Sequence, residues 1–248
     1  MPKKFTNQCC IHCLNYFDEL TKDHIFPESW YPDSTPLSME KWVVPSCPSC
    51  NNKLGEIESE LYKKFALCMN SSDIASSGIS EKVIRQYFSL PEEDNRTKGR
   101  KLANLKKLFK NVKWFDNDKL PNNIAKNFGN IAPNSKKSIL INIPPELLNP
   151  FCEKIIRGLE FKLMGKLINN DRKIQFLHLP DSTEFLSQEL AELNNAFRNG
   201  PKIDRGPGFL IQYTKDIYSQ MGYHVTIWGR WEIWAAISAP QKNNIITE

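Results

Sequence analysis

Residues 43–58 read "VVPSCPSCNNKLGEIE", and the fold of the N-terminal part of the chain turns on what Cys47 and Cys50 do there. Two residues separate them, and the same spacing recurs upstream between Cys10 and Cys13 in "CCIHC" (residues 9–13). A Cys-x-x-Cys pair sets two sulfurs on one tight knuckle, and two knuckles close a tetrahedral four-thiolate zinc site. Cys10, Cys13, Cys47 and Cys50 are therefore the expected ligands of a structural zinc, with Cys9 competing for the place of Cys10. His12, inside the first knuckle, is expected at the surface of that turn. Cys68 and Cys152 fall at apolar helical positions and read as core residues.

Around these knuckles lie 248 residues, 40% of them apolar, enough for a buried core. The stretch "MPKKFTNQCC" is basic but no apolar run follows it, and no segment approaches the roughly 20 apolar residues of a membrane span. A cytoplasmic protein without a membrane partner is expected. In that reducing compartment seven cysteines point to metal ligands and core positions rather than to disulfides. The formal net charge of +5, from 33 basic and 28 acidic residues, matters chiefly where it is concentrated.

Between the knuckles, "LTKDHIFPESW" (residues 20–30) sets His24 after Asp23 and shortly before Pro27. By itself this reads as a partly exposed histidine at a turn. Taken in order, however, "CIHC", "KDHIFPES" and "VVPSCPSCNNKLGEIE" resemble the zinc-stapled branch of the HNH endonuclease family. The resemblance implies a ββα-metal unit, and short strand-like pieces such as "KWVVPS" (41–46) agree with it. So does the helical spacing of Ile57, Leu61, Phe65 and Cys68 that follows the second knuckle.

The resemblance also implies a chemistry: metal-dependent hydrolysis of phosphodiester bonds, with DNA the expected substrate and a 3′ hydroxyl and 5′ phosphate as products. His24 takes the place of the general base, since a neutral imidazole can accept a proton from water near neutral pH. Asp23 and Asn51 take the places of the ligands to one magnesium or manganese ion, a hard cation suited to oxygen donors. Asn52 competes with Asn51 and otherwise reads as a residue that caps the helix or holds the loop. Glu58 matches an acidic position after "CNN" that would touch a metal-bound water. The middle motif position, where members of the family carry an Asn or His that buttresses the base, falls near Trp42.

The rest of the chain divides by pattern into a basic helical middle and an α+β tail, giving expected units at residues 1–70, 71–135 and 136–248. In the middle, "EKVIRQYFSL" and "RTKGRKLANLKKLFKNVKWF" read as helices, and no acidic residue lies between Arg96 and Lys113. With Leu102, Leu105, Leu108 and Phe109 turned inward, Arg100, Lys101, Lys106, Lys107 and Lys110 would form a stripe able to displace counterions from a phosphate backbone. The same lysines also fit a solvated helix face.

In the tail, "FCEKIIRGLEFKLMGKLI" puts Cys152, Ile155, Ile156, Leu159, Leu163 and Leu167 on one helical face. "KIQFLHLP" reads as a strand, and "DSTEFLSQELAELNNAFRNG" as a helix with a capping box of Asp181 and Glu184, closed by Gly200. The end reads as an antiparallel meander turning at Gly229 and Arg230. Its aromatics Trp228, Trp231 and Trp234 read as sheet core rather than as a base-stacking platform, and His178 and His224 as structural.

The expected function is thus an HNH endonuclease carrying structural zinc, with magnesium or manganese for catalysis, acting on double-stranded DNA. A regulatory protein partner, as in effectors of bacterial antiviral defence, fits a tail of this size. The alternative is a non-catalytic zinc-knuckle module that binds nucleic acid or protein.

Overall fold

The computed structural model describes residues 5–69, 72–88, 90–110, 112–116, 137–141, 143–179, 195–215 and 220–238. The chain opens with β1 (Phe5–Cys9) and β2 (Tyr16–His24), an antiparallel hairpin in which Cys9 faces Tyr16 and Phe5 faces Leu20. The first cysteine knuckle is the turn of this hairpin. Leu14 takes a left-handed φ of 64° there, while Cys10 and Asn15 close the turn through Cys10 N–H to Asn15 O at 2.9 Å. β3 (Val43–Ser46) pairs antiparallel with the far end of β2, setting His24 opposite Val43 and Thr21 opposite Ser46.

α1 (Pro48–Ala66) follows at once. It starts inside the second knuckle rather than after it, because Cys47 is its N-cap. The Cys47 sulfur accepts from the Cys50 N–H at 3.4 Å, and Pro48 occupies the first turn, where no N–H partner is required. The three-stranded β1-β2-β3 sheet and α1 thus form the expected N-terminal ββα unit bracketed by cysteines.

The middle carries α2 (Ile79–Tyr87), α3 (Asn95–Lys110) and β4 (Val112–Asp116), and β4 pairs antiparallel with β5 (Lys137–Ile141). The phase of α3 differs from the expected one. Leu102 is 51% exposed, whereas Lys101 is turned inward, donating to the Phe88 carbonyl at 3.1 Å and pairing with Glu93. Leu105 does pack on the core.

α4 (Pro145–Met164) buries Cys152, Ile155, Ile156 and Leu159 completely. It stops at Gly165, whose φ of 64° ends the helix before Leu167, although Leu163 and Leu167 still pack against the core. β6 (Ile174–Leu179), β7 (Lys202–Asp204), β8 (Phe209–Lys215), β9 (Met221–Ile227) and β10 (Trp231–Ile237) then form an antiparallel sheet in the order β6-β10-β9-β8-β7. The β9–β10 hairpin turns on Trp228 and Gly229, at φ of 54° and 66°, one residue earlier than the Gly-Arg pair suggested. The capping box of Asp181 and Glu184 lies outside the described residues, but Gly200 does close a turn, its N–H bonding the Phe197 carbonyl at 2.9 Å.

One hydrophobic cluster runs through all of this, from Ile25 and Val44 through Leu61, Phe65, Ile79 and Val83 to Phe151, Phe209 and Tyr223. Trp30 sits inside it, with ring centroids 4.7 Å from Phe151, 5.1 Å from Trp228 and 5.7 Å from Phe65. Trp228 also donates its indole N–H to the Trp30 carbonyl at 2.7 Å, which holds a bulky residue in a left-handed conformation it would otherwise avoid. Among the described residues no helix is long and apolar enough to cross a membrane.

Candidate metal centre and the His24 strand end

The four cysteines of the two knuckles converge. The sulfurs of Cys10, Cys13, Cys47 and Cys50 all lie within 4.8 Å of one another, and Cys13 and Cys47 approach to 3.9 Å. A tetrahedron of zinc–sulfur bonds places its sulfurs about 3.8 Å apart, so the spacing fits zinc. Cys10 is the member of the cluster and Cys9 stays outside it. Leu20 packs beside Cys10 and Cys47, giving the site an apolar wall of its own.

The backbone prepares these sulfurs for ionisation unequally. Burial pushes the Cys10 thiol up, but N–H groups of the two knuckles overcome it and bring Cys10 down to about 7. The Cys47 N–H, for example, donates to the Cys10 sulfur at 3.3 Å. Burial and the neighbouring sulfurs raise Cys13 and Cys50 instead. Four thiolates this close repel one another, and a divalent ion at their centre removes that repulsion. The cluster is a structural zinc-type site. Cys68 and Cys152 are buried, as expected of core residues.

Asp23 and His24 end β2, opposite Val44 and Val43 of β3. His24 is partly buried, and burial lowers its imidazole below the ordinary 6.5 despite the opposing charges of Glu28 and Asp23. Asn51, in the first turn of α1, faces the same strand and donates its amide N–H to Thr21 Oγ1 at 3.1 Å and to the Lys22 carbonyl at 3.4 Å. Trp42 is not the missing buttress of His24. Its carbonyl accepts the Ile25 N–H at 3.0 Å, and its ring lies under Arg205 at 4.2 Å and Lys162 at 5.7 Å.

Asp23 is only 4% exposed, and both of its oxygens are taken. Oδ1 meets Lys154 Nζ at 2.8 Å and Oδ2 meets His12 Nε2 at 3.0 Å. Burial pushes the Asp23 carboxyl up, but the His12 hydrogen bond and the Lys154 ammonium outweigh it and hold the group below its ordinary 3.8. His12 is therefore not a surface residue of its turn: its side chain is 8% exposed because it reaches inward to this carboxylate. Lys154 also pairs with Glu58, whose carboxyl burial raises against the pull of the same ammonium.

As it stands, this arrangement does not fit a divalent cation at Asp23. Magnesium and manganese need free carboxylate lone pairs and room for several waters, and Asp23 offers neither. Among the described residues, the four cysteines are the one group of three or more His, Cys, Asp or Glu side chains that converge closely enough to hold a metal. Asn52 makes no hydrogen bond with the Asp23 cluster.

Lys154 and His12 were missed from the sequence for different reasons. A lysine in an amphipathic helix reads as a solvent-facing residue, and only the meeting of α4 with β2 turns it inward. His12 carried a local signal, since the tight first knuckle leaves it few directions to point. Elsewhere, Arg100, Lys106 and Lys107 are exposed on α3, Lys101 is buried, and the side chain of Lys110 lies outside the described residues. Trp228 and Trp234 are buried and Trp231 stacks on Phe65 at 4.4 Å, so the aromatic strands serve the core. His224 is buried against Trp234 at 3.6 Å, a structural place, whereas the His178 side chain lies outside the described residues. Compared with known protein families, curated proteins and solved structures, the chain has no significant match.

Proposed function

We propose that this zinc-stapled ββα unit is a nucleic-acid-binding module. The observation that carries the reading is the four-sulfur cluster, which fixes the β1–β2 turn to the first turn of α1 and so presents one rigid surface. Exposed Arg100, Lys106 and Lys107 on α3 supply positive charge for a phosphate backbone. Zinc, held by Cys10, Cys13, Cys47 and Cys50, supplies a closed tetrahedral anchor and no open position for chemistry. The closed state of Asp23 favours binding over cutting.

The second reading is cleavage in the manner of an HNH endonuclease, with His24 as base and Asp23 and Asn51 as ligands of a magnesium or manganese ion. The observation that favours it is His24 itself. Burial lowers its imidazole below 6.5 at the end of β2, the strand that Asn51 of α1 bonds at Thr21 and Lys22, and a module that only binds has no use for a base there. Asp23 cannot serve as a ligand while Lys154 and His12 hold it, so no catalytic step is derived through that ion.

One experiment separates the two. Zinc-loaded protein and its His24→Ala variant are incubated with supercoiled plasmid in magnesium or manganese, with a chelator control, and retardation of the DNA is followed in parallel. Retardation by both proteins with intact plasmid supports the binding module. Metal-dependent nicking by the wild type that His24→Ala loses supports cleavage, and neither retardation nor nicking removes double-stranded DNA as the ligand.

A further inference from the structure

Lys154 is an unusual place for a charge. Its side chain is 1% exposed, and its ammonium lies against two carboxylates, Asp23 Oδ1 at 2.8 Å and Glu58, whose side chains are 4% and 14% exposed. The lysine arrives from α4, far along the chain, and α4 is seated on the end of β2 by a row of residues four apart. Lys154 meets Asp23. Gly158 meets Ile25 so closely that an added Cβ would come within 2.9 Å of Ile25 Cγ1. Lys162 lies 5.7 Å from the Trp42 ring and bonds Glu40 at 3.4 Å. The adjoining face of α4 is fixed by Phe151, Ile155 and Leu159, all fully buried.

Lys154 is thus no surface lysine that has drifted onto an anion; a helix held by its own core delivers it. A buried carboxylate and a largely buried one need a compensating cation, and an ammonium in contact with both occupies one oxygen of each that a divalent ion would use. His12 closes the remaining oxygen of Asp23. We propose that Lys154 is a built-in counter-cation that shuts Asp23 and Glu58 against divalent ions, and that the site opens only when α4 shifts or Lys154 withdraws. This bears on the cleavage reading above, because it makes any such activity latent in the chain alone.

The probe is manganese, followed by its paramagnetic resonance signal in zinc-loaded full-length protein, with zinc content and tryptophan near-ultraviolet dichroism reporting the fold. Lys154→Ala, which removes the charge and leaves space for a hydrated ion, should bind manganese at least about tenfold more tightly than the wild type. Adding Asp23→Asn should abolish that gain. No gain in a folded Lys154→Ala protein, or a gain that survives Asp23→Asn, would overturn the proposal. A further measurement uses the wild type alone: manganese that selectively broadens the His12 and His24 imidazole NMR signals of the zinc-loaded protein would also overturn it. Plasmid nicking distinguishes this from the cleavage reading. Manganese uptake by Lys154→Ala without nicking supports the shut site and removes cleavage, whereas nicking by the wild type as fast as by Lys154→Ala supports cleavage and removes the shut site.

Discussion

Asp23 shows how one residue can be legible in identity and hidden in role. Its type and its place before His24 stand out in the sequence, but its partners Lys154 and His12 come from the distant helix α4 and from the first knuckle. Replacing Asp23 by Ala leaves a buried ammonium with half its compensation, and the expected loss is about 3 kcal/mol in urea unfolding. The pH dependence has a definite sign. The folded carboxyl sits below 3.8, so its stabilisation is complete above that value and is lost as pH falls through the lower native value. The stability gap between wild type and Asp23→Ala should therefore close as pH falls below about 4, a difference in which thiolate protonation common to both proteins cancels. For His24, an NMR titration should place the imidazole midpoint below 6.5, because burial lowers it, and Glu28→Gln should move it lower still by removing an opposing charge.

At the scale of elements, the zinc knuckles and α1 are one device. Cys47 is both a member of the sulfur cluster and the N-cap of the helix, so losing the metal should loosen the first turn of α1 before the rest. Metal analysis should give about one zinc per chain. Cys47→Ser or chelation should speed hydrogen exchange at Asn51 to Leu54 while the buried stretch from Leu61 to Ala66 stays protected. The contact of α4 with β2 has its own test. Gly158→Ala sets a methyl against Ile25 and should destabilise by about 1–3 kcal/mol, unlike the same change at Gly55, where the space is open. The elements themselves were largely readable, since Ile57, Leu61 and Phe65 mark α1 and the aromatic strands mark β9 and β10. The phase of α3 was not, because Lys101 and Leu102 differ by one position and only contacts with Phe88 and Glu93 decide which turns inward.

At the scale of the whole molecule, the core does not respect the segments that composition suggests. Trp30, between the two knuckles, is packed by Phe65 of α1, Phe151 of α4 and Trp228 of the C-terminal hairpin, and its carbonyl accepts the Trp228 indole. A fragment of residues 1–70 would expose Phe26, Trp30 and Phe65 together, so it should fail to give dispersed NMR signals even with zinc, while the full chain does. What depends on near neighbours was legible in the chain: two knuckles of fixed spacing, a helix that the second one leads into, and an antiparallel meander. Spacing and periodicity act over a few residues, and those residues are adjacent in the chain. That His12 and Lys154 close Asp23, and that Trp228 turns a hairpin inward onto Trp30, emerges only once distant segments pack together. Such pairings come from the packing of a shared core, which brings together side chains far apart in sequence, and burial then makes their charges compulsory partners.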